Sequence, residues 1–147
     1  MNIFTGNYYE CKAGNLISIS GDRGKSAGFV GKVLPELAPK KEFWKVWRSN
    51  ISLIPELENT RYYIKEYYKC VLSKVNIEDL LKNEVDPILL CYERGKNFCH
   101  RHVVAEYIEI MYNTHVKDIM IDENLNITEN PRPNYIRDIL INVMNNV

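Results

Sequence analysis

The residues best suited to chemistry lie between positions 91 and 101, in the segment CYERGKNFCHR. A thiol becomes nucleophilic at neutral pH when a positive charge or a helix N-terminus lowers its pKa. Cys99 lies just before a predicted helix and next to His100 and Arg101. We therefore take Cys99 as the candidate nucleophile, and Glu93 or His100 as the group that transfers protons.

The position of this segment, between a strand and a helix, agrees with such a role. Residues 88–92 form a continuous apolar run, which is typical of a strand buried on both faces in a parallel sheet. Ligands of open α/β sheets bind beyond the carboxyl ends of the strands. We therefore expect a small anionic ligand here, a nucleotide or another phosphate ester, with Arg101 as its charged anchor.

Neighbouring strands are expected to contribute further groups to the same edge. Residues 3–5 and 16–20 are short β-prone runs, and they carry hydroxyl side chains near their ends. The predicted catalytic residues are Cys99, His100 and Glu93, and the predicted substrate-binding residues are Arg101, Cys91, Thr5, Ser18 and Ser20.

The remaining pattern alternates strands with helices. Five helices are predicted: over 40–49, from Pro55 onward, over 77–81 with Asn76 as the N-cap, after residue 99, and around 136–143. A further strand is predicted over 116–121. In the helix after residue 99, the inward side chains are Val103, Val104, Tyr107, Ile108 and Met111, and those on the opposite face are His102, Glu106, Glu109 and Asn113. We predict one α/β domain over 1–147, a three-layer sandwich with a small, mainly parallel central sheet and helices on both faces.

The composition and the N-terminal sequence indicate the cellular compartment and the redox state of the cysteines. The chain has 147 residues, four cysteines and a net charge of zero. Its N-terminus lacks the pattern of a signal peptide, and no apolar run approaches the roughly 20 residues of a membrane span. We expect a cytoplasmic protein without a membrane partner and with all four cysteines reduced, Cys91 and Cys99 being the pair best placed to approach each other.

Other interpretations of the same residues remain open. Glu93 and Arg101 can pair with each other and close the loop, which would make the cluster a structural clasp. The GKS at 24–26 lacks the first glycine of a Walker loop, and no Cys and Arg have the spacing of cysteine phosphatases. We expect no cofactor and no metal, because adjacent side chains at a helix start diverge, which disfavours a zinc site made from Cys91, Cys99, His100 and His102.

A second function class rests on the basic stretch from Asp22 to Arg48. Seven basic residues face three acidic ones there, and Trp44 and Trp47 lie among them. A nucleic-acid-associated module would use such a surface, with tryptophans stacking on bases. The competing interpretation is a solvated basic face with both tryptophans packed at the core and its rim.

The segment 88–93, followed by Phe98-Cys99-His100-Arg101-His102 and Ala105-Glu106, resembles the signature of the domain-of-unknown-function family 488. That signature is an apolar strand ending in Cys-x-Glu, a short loop, and Cys-His-Arg opening a helix. Further similarities cover nearly the whole chain: Thr5, the strand 17–20, Leu37-Ala38-Pro39 before a helix, and Tyr67 in the long helix.

One departure is the loop after Ser20, which reads GDRGKSAG where relatives often carry a proline-containing segment. No site is therefore carried over from that loop. The resemblance implies a compact α/β domain with Cys91, Glu93, Cys99, His100 and Arg101 gathered at one sheet edge, and it implies no particular reaction.

Overall fold

The computed structural model describes residues 2–95 and 97–146. These residues form six strands: β1 (Phe4–Asn7), β2 (Asn15–Ser18), β3 (Lys32–Val33), β4 (Pro87–Cys91), β5 (Lys117–Ile121) and β6 (Ile127–Asn130). They also form five α-helices: α1 (Lys41–Asn50), α2 (Glu56–Cys70), α3 (Ile77–Leu81), α4 (His100–Tyr112) and α5 (Tyr135–Asn146). Asn76 caps α3 as predicted, with its Oδ1 accepting from the backbone N–H of Asp79 at 3.1 Å.

The six strands make one sheet in the order β3-β2-β4-β1-β5-β6. All pairings are parallel except that between β5 and β6. All five residues of β4 are buried, and Leu89 packs on one face while Ile88 and Leu90 pack on the other. The predicted α/β class, the mainly parallel sheet and the interior position of β4 are confirmed.

The helices cover the sheet differently from the expected three-layer arrangement. The buried apolar side chains of α1 to α5 all belong to one cluster with Ile17 and Leu89. The cluster on the opposite face consists of strand residues and Cys11, covered by Tyr8 and Phe29 from the loops. Among the described residues, the second face is thus closed by loops and a 3-10 turn at Lys25–Ala27 instead of α-helices.

Two local predictions need correction. The polar segment after β5 contains β6, a short edge strand whose first three residues are exposed and therefore lack any apolar pattern. In α4 the expected outer face is partly buried, with His102 0% and Glu106 6% exposed, while Met111 is 49% exposed. His102 and Glu106 are buried because the helix packs against the sheet on one side and against α2 and α5 on other sides.

Both tryptophans of α1 pack against the helical cluster. The Trp47 ring meets Tyr63 edge-on at 5.3 Å between centroids, and Arg48 lies over the Trp44 ring at 5.2 Å. No helix within the described ranges is long and apolar enough to cross a bilayer.

Candidate functional site

Two cysteines and a histidine converge where β4 ends and α4 begins. Cys91 is the last residue of β4, Cys99 is the N-cap of α4 and His100 is the first residue of α4. All three are buried, and their sulfur and ring nitrogen atoms lie within 4.8 Å of one another. Parallel strand topology brings this about, because the carboxyl end of β4 and the start of the following helix share one edge of the sheet.

The His100 ring is held in a defined tautomer. Its Nε2 lies 2.8 Å from the carbonyl oxygen of Ile19, which can only accept, so Nε2 carries a proton. Nδ1 lies 3.3 Å from Cys91 Sγ; it accepts from the Cys91 thiol when the ring is neutral and is a donor when the ring carries a second proton. The Tyr67 ring packs edge-on against His100 at 5.5 Å between centroids and fixes its plane.

The two thiols have opposite acidities. Burial by itself would raise the pKa of Cys99, but the Cys91 thiol, the His100 ring and the Arg101 charge outweigh it and hold that pKa well below its usual value. Burial and the neighbouring Cys99 raise the pKa of Cys91 well above its usual value. The first proton that this pair loses therefore leaves Cys99, while Cys91 stays protonated beside it. The N-terminus of α4 also favours a thiolate at Cys99.

Arg101 is fully buried and forms an ion pair with Asp118 of β5. Its Nε donates to Asp118 Oδ1 at 2.9 Å and its Nη2 to Oδ2 at 3.4 Å, while its Nη1 donates to the backbone carbonyl of Glu93. Thr5 of β1 donates to the same Asp118 oxygen at 2.7 Å. Arg101 thus fastens the β4–α4 loop to β5, and the clasp foreseen with the Glu93 carboxylate is made with Asp118 instead.

The Arg101 guanidinium keeps its charge in this setting. Burial would lower its pKa, but Cys99 and Asp118 outweigh burial and raise it above its usual value. Glu93 is exposed as a residue, but neighbouring groups partly desolvate its carboxyl group. This desolvation and the nearby Cys99 raise its pKa against the opposing effect of the Arg101 charge. A raised pKa makes a carboxyl group hold its proton more readily, which suits it to proton transfer.

Ser18 and Ser20 lie in a different network from the thiols. Both hydroxyls bond to the phenol of Tyr8, at 2.7 and 2.6 Å, and Ser20 also donates to Asp22 at 3.0 Å. Ser18 pairs with Leu90, which faces away from the helices, whereas Cys91 follows Leu90 and points to the other face. The structure therefore brings Thr5 to the Arg101 side of the site and leaves the two serines on the opposite face.

The serine network closes the glycine-rich loop that follows β2. Tyr92 donates to Asp22 Oδ2 at 2.5 Å, and the backbone N–H groups of Gly24 and Ser26 donate to the same carboxylate. Burial would raise the pKa of Asp22, but these hydrogen bonds outweigh it and hold the pKa below its usual range. Burial also raises the pKa of Tyr8 to about 12, so the phenol stays protonated.

All four cysteines are free thiols in the structure, and Cys91 and Cys99 approach each other as expected. The expected divergence of adjacent Cys99 and His100 side chains does not occur, since both reach Cys91. Two thiols and an imidazole are ligands that soft divalent metals accept. His102 is not part of this group within the described residues.

His102 is a buried polar residue without partners. It is fully buried, and neither ring nitrogen has a hydrogen-bond partner among residues 2–95 and 97–146. Burial, with a smaller contribution from the Arg101 charge, lowers its pKa from 6.5 to about 4. The ring is therefore neutral at pH 7 and resists protonation.

The protein is expected to lose stability in acid because of His102. In the unfolded chain His102 is protonated below pH 6.5, whereas in the folded chain it is protonated only below about pH 4. Stability from this group is complete above pH 6.5 and falls by up to about 3 kcal/mol as pH drops to 4. Urea unfolding at several pH values measures this loss.

His102→Leu should be at least as stable as the wild type at pH 7, and its free energy of unfolding should no longer show this decrease between pH 6.5 and 4. The variant His115→Gln, at an exposed site, should retain the decrease. An unchanged slope in His102→Leu would contradict the assignment.

A comparison with family models gave a match over residues 15–111, to the model described as the active DUF488-N3 subclade, DUF488-N3a. The chain belongs to the DUF488 family. The matched range runs from β2 through most of α4 and includes every predicted site residue except Thr5: Ser18, Ser20, Cys91, Glu93, Cys99, His100 and Arg101. Neither the curated proteins nor the solved structures gave a match.

The DUF488 match separates two parts of the buried site. The thiols, His100 and Arg101 lie within the matched range, whereas Asp118, which binds Arg101, and Thr5, which donates to Asp118, lie outside it. Asp118 is not among the predicted site residues. A single carboxylate inside the otherwise mainly apolar strand segment 118–121 is the signal that would have marked it as a buried partner for a cation.

Proposed function

We propose that this DUF488 protein is an enzyme that uses the Cys99 thiolate to attack a small anionic ligand, a nucleotide or another phosphate ester. The observation that carries the proposal is the charge arrangement at Cys99. Its thiolate lies at the N-terminus of α4 beside a protonated thiol and a permanently charged arginine. Electropositive surroundings are one mark of reactive cysteines, and partial exposure is the other. Cys99 is 4% exposed, so the ligand has to displace the groups that cover its sulfur. The description of the matched subclade as active supports an enzymatic role.

The reaction follows covalent catalysis. Cys99 Sγ forms a bond to the electrophilic centre of the ligand while the bond to the leaving group breaks, and Glu93 gives the leaving group its proton. Glu93 then takes a proton from the water that cleaves the thiol adduct, which returns both groups to their starting states. His100 and Cys91 orient the thiolate throughout.

Exposed cations on the neighbouring loops recognise the anionic ligand in this proposal. Arg101 is fully engaged with Asp118, so the anion that it stabilises is the thiolate. Arg23 and Lys25 follow β2 and Arg94 follows β4, and all three are exposed at the carboxyl edge of the sheet. A thiolate next to a thiol stays reduced only in a reducing compartment, which the cytoplasm provides.

A ligand screen tests this function. Phosphate, sulfate and a panel of nucleotides are added to the wild-type protein, and the melting temperature is measured by calorimetry. At least one of them should raise it through preferential binding to the folded state. With that ligand, mass spectrometry of the wild type should show turnover or an adduct on Cys99. Cys99→Ser should bind the ligand without turning it over, and the control Cys70→Ser should behave as the wild type.

Two results would refute the function. One is a wild-type protein that gains no stability from any anion tested. The other is a Cys99→Ser variant that turns over the ligand as fast as the wild type. Binding to a nucleic-acid polymer instead would be recognised by a steep loss of affinity with added salt.

A further inference from the structure

The donor atoms of Cys91, Cys99 and His100 are spaced like the ligands of a metal ion. The two sulfur atoms and a ring nitrogen lie within 4.8 Å of one another, and the distance from Cys91 Sγ to His100 Nδ1 is 3.3 Å. A tetrahedral zinc ion with Zn–S bonds of about 2.3 Å and a Zn–N bond of about 2.0 Å holds such atoms about 3.5–3.8 Å apart. Side-chain shifts of about 1 Å or less therefore bring all three atoms to one ion.

The His100 ring already has the orientation that metal binding needs. Its Nε2 donates to the carbonyl oxygen of Ile19 at 2.8 Å, which leaves Nδ1 directed at the Cys91 thiol with a lone pair in the neutral ring. Metal-binding histidines almost always donate their second ring N–H to a carbonyl, a carboxylate or a water, which fixes the tautomer. The carbonyl of Ile19 is thus placed as the outer partner of a metal ligand.

The charges around this group favour a divalent ion. Arg101 and Asp118 are completely buried and neutralise each other at 2.9 Å. Two thiolates and a neutral imidazole carry two negative charges, which a buried position tolerates only with compensation. A divalent ion cancels both charges, whereas a monovalent ion leaves one. Thiolate and imidazole ligands also select zinc over magnesium or calcium, which prefer oxygen.

We propose that Cys91, Cys99 and His100 bind one zinc ion through the two Sγ atoms and Nδ1. The thiols release their remaining protons to solvent on binding. No fourth side chain among the described residues joins the group, so a water completes the tetrahedral shell. Divergence of Cys99 and His100 was the argument against such a site, and the structure removes it.

Zinc binding does not depend on Cys99 acting as a nucleophile. One further consequence rests on the proposed function: a zinc-bound Cys99 has no free thiolate for attack, so zinc inhibits the enzyme and a chelator restores it. The three ligand residues are only 4–6% exposed, so the ion enters when the β4–α4 loop opens or while the chain folds.

Cobalt(II) is a coloured probe for this site. The wild-type protein is refolded from urea with Co²⁺ and a reductant that is not a thiol, so that burial does not prevent loading, and unbound metal is then removed. The absorption spectrum should show thiolate-to-cobalt charge transfer and the intense visible bands of a tetrahedral ion, at one ion per chain. Added Zn²⁺ should displace the cobalt and abolish these bands.

Variants identify the ligands. Cys91→Ala and Cys99→Ala should each weaken Co²⁺ binding at least about a hundredfold. The controls Cys70→Ser and His115→Gln remove a half-buried thiol and an exposed imidazole elsewhere, and should bind as the wild type does. X-ray absorption of the zinc-loaded wild type needs no variant and should show two sulfur neighbours at about 2.3 Å.

Three results would overturn the zinc site. They are a refolded wild type without thiolate-to-cobalt charge transfer, full binding by a folded Cys91→Ala variant, and a zinc ion with fewer than two sulfur neighbours. Loss of binding in Cys70→Ser would likewise show an adventitious surface site. Each of these results leaves the turnover test of Cys99 unaffected, and an absence of turnover leaves the metal spectra unaffected.

Discussion

Replacing Arg101 with alanine is expected to lower the free energy of unfolding by about 3–5 kcal/mol. Both members of the Arg101–Asp118 pair are completely buried. Removing one partner of a buried ion pair leaves the other charge without compensation, which is the most costly way to break it. The variant also frees the Glu93 carbonyl and loosens the β4–α4 loop. Urea unfolding followed by circular dichroism measures the loss.

Two further variants make the Arg101 result specific. Arg94→Ala removes an exposed arginine from the same loop and should change stability by less than about 0.5 kcal/mol. The double variant Arg101→Met with Asp118→Leu replaces the pair by apolar side chains and should recover much of the lost stability. If Arg101→Ala were as stable as Arg94→Ala, the guanidinium would not be the fastening element that the hydrogen bonds indicate.

Cys99 is expected to ionise well below the pKa of an ordinary cysteine, which is about 8.5. Ultraviolet absorbance of the thiolate, followed against pH on the native protein, should show one early step per chain. Burial would raise the pKa of Cys99, but the Cys91 thiol, the His100 ring and the charge of Arg101 lower it and place this step at low pH. Arg101→Met should therefore shift it to higher pH, provided that the variant is folded under the conditions used.

The assignment of this step rests on single cysteine variants. Cys99→Ser should remove the early step, and Cys70→Ser, on the half-buried side of α2, should leave it in place. Cys91→Ala should retain the step at a higher pH, since the charge stays on Cys99 but loses the Cys91 thiol that lowers its pKa. An early step that survives in Cys99→Ser would place the thiolate on another cysteine.

The sequence by itself determined the local features of this protein. The unbroken apolar run of β4 predicted a strand buried on both faces, and the strand, loop and helix around 88–112 predicted that Cys91, Cys99 and His100 share one edge. These features are recoverable because neighbouring residues in the chain decide them. The alternation of buried side chains along a strand or a helix follows from the local sequence. So does the right-handed connection from a strand through a helix to the next strand, and neither depends on many distant contacts.

Only the tertiary structure decided which distant groups meet. Asp118 reaches Arg101 because β5 pairs with β1, and the serines leave the site because the register of β2 against β4 sets them on the other face. His102 and Glu106 are buried because α2 and α5 pack against the side of α4 that its own periodicity marks as polar. Strand order, register and helix packing join residues far apart in the chain, and a one-residue change of register moves every side chain to the opposite face.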